Sequence, residues 1–216
     1  LRGWHATSSV GVLGAAAALA RLMNLPNDQI MKSIAASASM AAGIRENFGT
    51  MVKPLHAGRA AEAGLLAACL ARSGFTASAA ALDGRFGFFN VLNTEKTPST
   101  SEIIAQLGHS WDCVSPGIVT KRYAACGATH CAIDAALEVR HELNASGSNV
   151  KEVRCGADPF ALKVLQYNNP KTGLEGKFSM QFCLAIAVLE GRPRLIHFTD
   201  EWAQKPEVVD LISRIK

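Results

Sequence analysis

The chain has 216 residues, of which 49% are hydrophobic, 19% are charged and 6% are aromatic. This composition is typical of a folded globular protein with one large domain or two small ones, and it excludes a disordered chain. The net charge of +4 is small and no run of Lys or Arg marks a nucleic-acid surface. An anionic small molecule is therefore the better-matched partner.

The six cysteines form no CxxC pair and have no spacing typical of a zinc site. They indicate a reduced, cytoplasmic protein. The longest apolar run, residues 10–20, is too short to cross a bilayer, and the first residues do not resemble a signal peptide. We expect no membrane association. No strand–GxGxxG–helix unit is present, which disfavours a nicotinamide cofactor.

The first half of the chain has helical patterns and no period-2 alternation. Helices are predicted at residues 10–25, 27–42, 55–73, 77–82 and 99–107, with Gly74 ending the third. Residues 87–89 are interpreted as an aromatic cluster in a loop. This half is predicted to be an all-helical domain covering residues 1–109.

The second half changes character, because β-branched residues bounded by Pro and Gly predict strands. The predicted strands are residues 111–121, 150–155 and 194–198. Helices are predicted between and after them at residues 129–143, 159–165, 174–189 and 206–215. The predicted fold is therefore mainly α, with a smaller α+β domain at residues 110–216.

Residues 49–74 contain the most informative pattern in the chain. Pro54 disfavours helix at the residue before it, so Lys53 is predicted to be extended at the start of a helix. His56 and Arg59 follow at a spacing of three. Three potential cations thus gather near a helix N-terminus, where the dipole favours anions. The rest of the helix is mostly Ala, Gly and Leu, which predicts close packing and little exposure. We interpret this stretch as an anion-binding site rather than a solvated helix start.

Three stretches together resemble the MmgE/PrpD family: GWHAT at 3–7, GTMVKPLHAGRAA at 49–61 and TGLEGKFSM at 172–180. The family includes 2-methylcitrate dehydratase, cis-aconitate decarboxylase and iminodisuccinate epimerase. The resemblance covers essentially the whole chain. It implies a helical domain and a smaller lid domain, an active site in the cleft between them, a homodimer, and no metal or organic cofactor. Family members are longer, so we expect a fragment, with an acidic residue used by the family lying ahead of residue 1.

The resemblance also implies a reaction in which a proton is removed next to a carboxylate of a small di- or tricarboxylate. Such a step needs a base near the carbon and cations on the carboxylates. His5 matches a family histidine and is given proton transfer, while Lys53 and Lys121 match lysines that bind and polarise carboxylates. A lysine with a lowered pKa acting as the base is the alternative. Further candidate substrate contacts are His56, Arg59, Arg122, Lys177 and Ser179.

Two departures from the family pattern bear on the reaction. Cys126 stands where cis-aconitate decarboxylases carry a histidine, and Phe182 stands where some members place a tyrosine. The prediction is therefore a dehydratase-type lyase, similar to 2-methylcitrate dehydratase. An epimerase using the same carbanion step is one alternative. From the residues alone, a helix cap explains His5 as well as a catalytic role does. Without the resemblance, Lys121 is interpreted as a solvent-facing strand end.

A non-catalytic helical dimerisation module is the alternative from a different class of protein. Helices rich in Ala and Gly bury equally well in an oligomer interface. The cluster of Lys53, His56 and Arg59 disfavours this interpretation, because buried unpaired cations cost several kcal/mol each and a scaffold gains nothing from them.

Overall fold

The computed structural model describes residues 3–92, 100–144 and 149–216, and most of these residues are helical. Two compact units are present: Leu1–Asn47 with Val52–Ile118 form unit 1, and Phe48–Met51 with Val119–Lys216 form unit 2. The predicted fold class, mainly α, is confirmed. The domain boundary predicted after residue 109 stays a prediction. In the described ranges, no helix is long and apolar enough to span a membrane.

Unit 1 is built around one long helix that packs on two shorter ones. Its helices are α1 (Ala6–Ser9), α2 (Gly11–Leu22), α3 (Asn27–Ala38), α4 (Val52–Arg72), α5 (Phe88–Leu92) and α6 (Thr100–Gln106). A turn of 3-10 helix, Arg45–Asn47, lies between α3 and α4. Helix α4 packs against both α2 and α3, which also contact each other. The buried side chains at these contacts are mostly alanines, such as Ala16, Ala20 and Ala67.

Small residues bring α2 and α4 almost into backbone contact. A Cβ atom placed on Gly64 of α4 would lie 2.5 Å from the Cβ of Ala15 and 2.8 Å from the backbone nitrogen of Ala16. These separations are shorter than any normal contact, so only glycine fits. The opposite face of α4 is open, with Leu55, Leu65 and Leu66 about half exposed. The prediction that this helix is poorly exposed therefore holds for one face only.

Helix α4 also begins earlier than predicted. It starts at Val52, so Lys53 is helical and the prediction of an extended Lys53 is wrong. Pro54 is the third residue of the helix, where its missing N–H has no acceptor within the helix in any case. A proline in the first turn therefore does not end a helix. Gly74, with φ of +86°, ends this helix region as predicted.

Two short predictions in unit 1 are wrong. Residues 77–82 form turns instead of a helix, and residues 87–89 lead into helix α5 instead of a loop. The carbonyls of Ala81 and Leu82 accept the N–H groups of Phe88 and Phe89 at 2.8 and 3.0 Å. These carbonyls thus accept hydrogen bonds from the following segment instead of forming hydrogen bonds within a helix at 77–82. The helix predicted at 99–107 is present as α6, and Ser99 lies outside the described residues.

Unit 2 is organised around one helix whose central residues are all apolar and buried. Its helices are α7 (His130–Glu142), α8 (Pro159–Val164), α9 (Gly173–Gly176), α10 (Met180–Glu190), α11 (Asp200–Gln204) and α12 (Pro206–Ser213). Every residue of α10 from Phe182 to Ala187 is 2% exposed or less, and α10 packs on α7 and α12. A helix that is apolar all round belongs in the middle of a core. Burial raises the pKa of its Cys183 to about 12.

The three strands predicted in the second half are not present, so the α+β character is not confirmed. Residues 111–121 contain an irregular turn, Cys113–Gly117, and residues 194–198 contain a 3-10 turn, Leu195–His197. Residues 150–155 make a single parallel bridge, between Val153 and Ile215. Three backbone hydrogen bonds join residues 153–155 to residues 214–216, and β-branched residues do not by themselves form a strand.

The single helix predicted at 174–189 is divided into α9 and α10. The hydroxyl of Ser179 accepts the N–H of Phe182 at 3.1 Å and so starts α10 as its N-cap. The carbonyl of Lys177 accepts the N–H of Cys126 at 2.8 Å, so it cannot take part in a continuous helix. The break therefore follows from one cap and one long-range hydrogen bond.

The close approach of α2 and α4 predicts opposite effects for two glycine substitutions. Gly64→Ala is expected to lower the free energy of unfolding by about 1–3 kcal/mol, because the new methyl group meets the backbone of α2. Gly14→Ala, in α2, has no atom within 4 Å of the new Cβ, and is expected to be neutral or stabilising by up to about 1 kcal/mol. Urea unfolding of both variants gives the comparison. A Gly64→Ala variant as stable as Gly14→Ala would contradict the close packing.

Candidate active site

His5 is held in place by a short backbone pairing. The N–H of His5 donates to the carbonyl of Gly43 at 3.1 Å, and the N–H of Arg45 donates to the carbonyl of Gly3 at 2.7 Å. Gly43 has φ of +99°, and a Cβ atom there would lie 2.6 Å from the Cβ of Ser8. Glycine is therefore required at this position. The pairing brings the start of α1 beside the loop that precedes α4.

The ring of His5 contacts the ring of His56. Their Nδ1 atoms are 2.9 Å apart, and His56 is only 6% exposed. At this distance one Nδ1 carries a hydrogen and the other accepts it. His5 occupies the N-cap position of α1, but its side chain makes no capping hydrogen bond. The alternative interpretation of His5 as a helix cap is thus not supported by the geometry.

Burial and nearby positive charge favour the neutral form of His5. Its pKa is lowered first by burial, then by His56, then by the charges of Lys53 and Arg45. Lys53, in the first turn of α4, is thus close enough to His5 to act on its charge. A neutral imidazole has a lone pair with which it accepts a proton. The site in unit 1 therefore combines a proton acceptor with a nearby ammonium group.

Arg59 forms an ion pair away from the two histidines. Its guanidinium pairs with Glu62 at 2.5 Å, and both side chains are more than half exposed. A cavity of about 520 Å³ lies here, lined by His56, Arg59 and Glu62 among others. His5 and Lys53 do not line it. The predicted cluster of three cations is therefore divided. Lys53 lies near the pair of His5 and His56, whereas the positive charge of Arg59 is compensated by the carboxylate of Glu62.

In unit 2, Lys121 and Arg122 already have partners within their own unit. The ammonium group of Lys121 donates to the carbonyl of Ala125 at 3.2 Å. Arg122 pairs with Asp134 at 2.9 Å, and the hydroxyl of Tyr123 donates to the other oxygen of the same carboxylate. Burial and Asp134 raise the pKa of Tyr123, so its hydroxyl stays a hydrogen donor.

Lys177 and Ser179 differ in how accessible they are. The ammonium group of Lys177 lies 5.9 Å from the ring centre of Phe198 and is partly exposed. Ser179 is completely buried, and its hydroxyl caps α10. A structural role therefore accounts for Ser179. The roles predicted for all eight residues in catalysis or substrate binding stay predictions.

The largest cavity described is elsewhere in unit 2. It has a volume of about 1480 Å³ and is lined mainly by apolar side chains of α7, α10 and the segment at 149–161. None of the predicted site residues lines it. Among the residues that the structure describes, no three His, Cys, Asp or Glu side chains are grouped so as to bind a metal ion.

Comparison with family models places both halves of the chain. The MmgE/PrpD N-terminal domain matches residues 1–101, and the MmgE/PrpD C-terminal domain matches residues 123–216. The chain belongs to the MmgE/PrpD family. The resemblance inferred from three short motifs is thereby confirmed.

Three relatives in this family are cis-aconitate decarboxylases. The human protein is 29% identical over 216 residues, the Mus musculus protein is 29% identical over 224, and the Aspergillus terreus protein is 28% identical over 236. Each comparison covers 99% of this chain but only 44–46% of the relative. The chain thus spans less than half the length of these curated relatives.

Sequence reasoning missed one residue beside the candidate residues in each unit of this MmgE/PrpD chain. Arg45 acts on the charge of His5, and Asp134 holds both Arg122 and Tyr123. Arg45 lies in a loop whose pairing with residues 3–5 is long-range, so no local pattern marks it. Asp134 was detectable in principle, because it is a carboxylate among the alanines of α7.

The lowered pKa of His5 predicts a specific pH dependence of stability. Above about pH 6.5, His5 is neutral in both the folded and unfolded protein and adds no pH dependence. As the pH falls below about 6.5, the unfolded chain takes up a proton that folded His5 still refuses, so the free energy of unfolding decreases. Histidine NMR should show His5 titrating below 6.5. His5→Gln should remove this part of the pH dependence, and a midpoint at or above 6.5 would contradict it.

Proposed function

We propose that the protein is a lyase that removes a proton next to a carboxylate of a small di- or tricarboxylate. The single observation that carries this proposal is the ring of His5, which is bonded to buried His56 and whose pKa is lowered by burial and by nearby charges that include Lys53. His5 is the base. A positioned base of this kind typically contributes 10²–10⁴-fold to a rate.

Lys53 is proposed to stabilise the negative charge that develops as the proton leaves. Negative charge spreads from the carbon onto the adjacent carboxylate, and an ammonium group already in place stabilises it without reorganisation. The same positive charge disfavours protonation of His5, so the base stays available at neutral pH. The roles proposed for His56 and Arg59 as substrate contacts come from the charge pattern of residues 53–59, and those proposed for Lys121, Arg122, Lys177 and Ser179 rest on the family resemblance.

Two end reactions pass through a carbanion next to a carboxylate, and different observations support each. In dehydration the carbanion forms when the proton is removed and then expels hydroxide, whereas in decarboxylation it forms when carbon dioxide leaves and is then protonated. Loss of water, as in a 2-methylcitrate dehydratase, is supported by the departures at Cys126 and Phe182. Phe182 is completely buried beside the ring of Phe198, so it is not available to a substrate. Loss of carbon dioxide is supported by the relatives, which are cis-aconitate decarboxylases. A tricarboxylate is the substrate class common to both.

Epimerisation of a dicarboxylate is the remaining enzymatic alternative, because it uses the same proton abstraction. A non-catalytic dimerisation module would need neither the base nor the lysine. We propose a homodimer without a metal or organic cofactor, which rests on the resemblance alone, and a cytoplasmic location, which rests on the cysteine pattern.

The proposed proton abstraction is tested by deuterium exchange. Full-length protein is incubated in deuterated water with a panel of di- and tricarboxylates, and NMR follows deuterium at carbons next to a carboxylate. Lys53→Ala is expected to slow exchange by about 10²–10³-fold, the usual effect of removing one preorganised electrostatic group. Lys32→Ala is the matched control, since Lys32 lies on α3 and pairs with Asp28 at 2.7 Å.

The products distinguish the alternatives. A hydrated or dehydrated product identifies a dehydratase, carbon dioxide identifies a decarboxylase, and an inverted centre identifies an epimerase. If no substrate exchanges, the lyase proposal fails. If Lys53→Ala exchanges as fast as Lys32→Ala, the role of Lys53 fails.

A further inference from the structure

We propose that Asp134 is a positioning residue for the segment at 121–126. It holds Arg122 and Tyr123 against α7, and it leaves Lys121 as the cation of this segment that binds a ligand carboxylate. This inference deepens the proposed function and rests on the binding of a di- or tricarboxylate by unit 2. It replaces the sequence-based expectation that Arg122 itself contacts the substrate.

The carboxylate of Asp134 joins a buried and an exposed side chain of this segment. Its Oδ2 accepts a hydrogen bond from Nη1 of Arg122 at 2.9 Å, and its Oδ1 accepts one from the hydroxyl of Tyr123. Tyr123 is 4% exposed, whereas the side chain of Arg122 is 64% exposed. The ring of His130, one turn before Asp134 on α7, meets the Tyr123 ring edge-on, with 5.2 Å between the ring centres. Tyr123 therefore anchors the segment to α7 through a hydrogen bond and a ring contact.

Two further contacts hold the segment within unit 2. Nη2 of Arg192 donates to the carbonyl of Arg122 at 3.2 Å, and the guanidinium carbon of Arg192 lies 5.6 Å from the centre of the Tyr123 ring. Near the other end, the N–H of Cys126 donates to the carbonyl of Lys177 at 2.8 Å. The segment is therefore bonded to the rest of unit 2 on both sides of residues 124 and 125.

The two cations at the start of the segment differ in their partners. Arg122 pairs with a carboxylate, so a ligand carboxylate at its guanidinium would displace Asp134 and lie beside that negative charge. Lys121 is exposed, donates one hydrogen to the carbonyl of Ala125 at 3.2 Å, and forms no ion pair with any residue that the structure describes. An ammonium group has three hydrogens, so two are left for a ligand. Lys121 is therefore the better-placed cation.

Replacing the carboxylate of Asp134 changes both parts of this arrangement. Asp134→Asn keeps the size of the side chain and removes its charge, so Arg122 loses its ion-pair partner and the segment loses a contact with α7. Lys121 then gains conformational freedom that is lost again on binding, so the affinity for a carboxylate falls. If Arg122 is instead the ligand contact, the same substitution frees its guanidinium and the affinity rises. The two interpretations thus predict changes of opposite sign.

The test is a double-mutant cycle in full-length protein, in which calorimetry follows the binding of citrate and of the other di- and tricarboxylates of the exchange panel. Lys121→Gln is expected to weaken binding by about 10–100-fold, the usual effect of losing a hydrogen bond to a charged group. Asp134→Asn is expected to weaken binding by about 3–10-fold alone, and by less than about twofold in the Lys121→Gln variant. Asp210→Asn is the matched control, because Asp210 also pairs with an arginine, Arg214, at 2.6 Å.

The titration of Tyr123 shows whether the anchor is intact. Burial and Asp134 raise the pKa of Tyr123, so Asp134→Asn should lower this pKa, as measured by NMR. Tyr123→Phe assigns the signal and removes only the hydroxyl, so it should weaken binding as Asp134→Asn does. It takes the place of Asp134→Asn in the cycle if that variant does not fold. An unchanged Tyr123 titration in Asp134→Asn would contradict the anchor.

The outcomes separate the two proposals. Unchanged or tighter binding in Asp134→Asn overturns the positioning role even if the enzyme turns over, and so does an effect of Asp134→Asn that persists in full in the Lys121→Gln variant. The expected cycle without deuterium exchange in any substrate supports the positioning role and overturns the proposed proton abstraction. If no di- or tricarboxylate binds, both proposals fail.

Discussion

The near-contact between α2 and α4 is the constraint on which unit 1 depends. Gly64 faces Ala15 and Ala16 so closely that no side chain fits between the two helices. His56 lies about two turns before Gly64 on the same face of α4, where its ring contacts His5 at the start of α1. The histidine pair is therefore a consequence of helix spacing. The backbone brings the two residues together, and the contact itself is made by the ring atoms of both side chains.

The two units achieve order by different means. Unit 1 has a core mainly of alanine, so its helices approach closely and each contact is short. Unit 2 buries large side chains such as Phe182, Ile133 and Leu211 around α10, and it is divided by caps and long-range backbone bonds. The candidate site residues differ in the same way. In unit 1, His5 and His56 meet beside closely packed helices, and in unit 2, Lys121 and Arg122 lie in a turn held by side-chain and carbonyl contacts.

The sequence predicted the long helices and the family, and it predicted His5 and Lys53 as one site by resemblance. It did not predict that Lys53 is helical. The residue before a proline prefers extended backbone, but the first turn of a helix accepts a proline, and here the helix includes both residues. It overestimated strands, because β-branched residues were counted without their neighbours. It missed the bond between His5 and His56, since residues 51 positions apart meet only through tertiary packing.

The hydrogen bonds at Cys126 have a consequence for substitutions at this position. The N–H of Cys126 donates to Lys177, and its carbonyl accepts from the N–H and the hydroxyl of Thr129, so all three bonds use backbone atoms of residue 126. Any side chain other than that of proline keeps these bonds. The partly buried side chain itself packs against the apolar core around α10, so the room beside that core sets which residues are tolerated here.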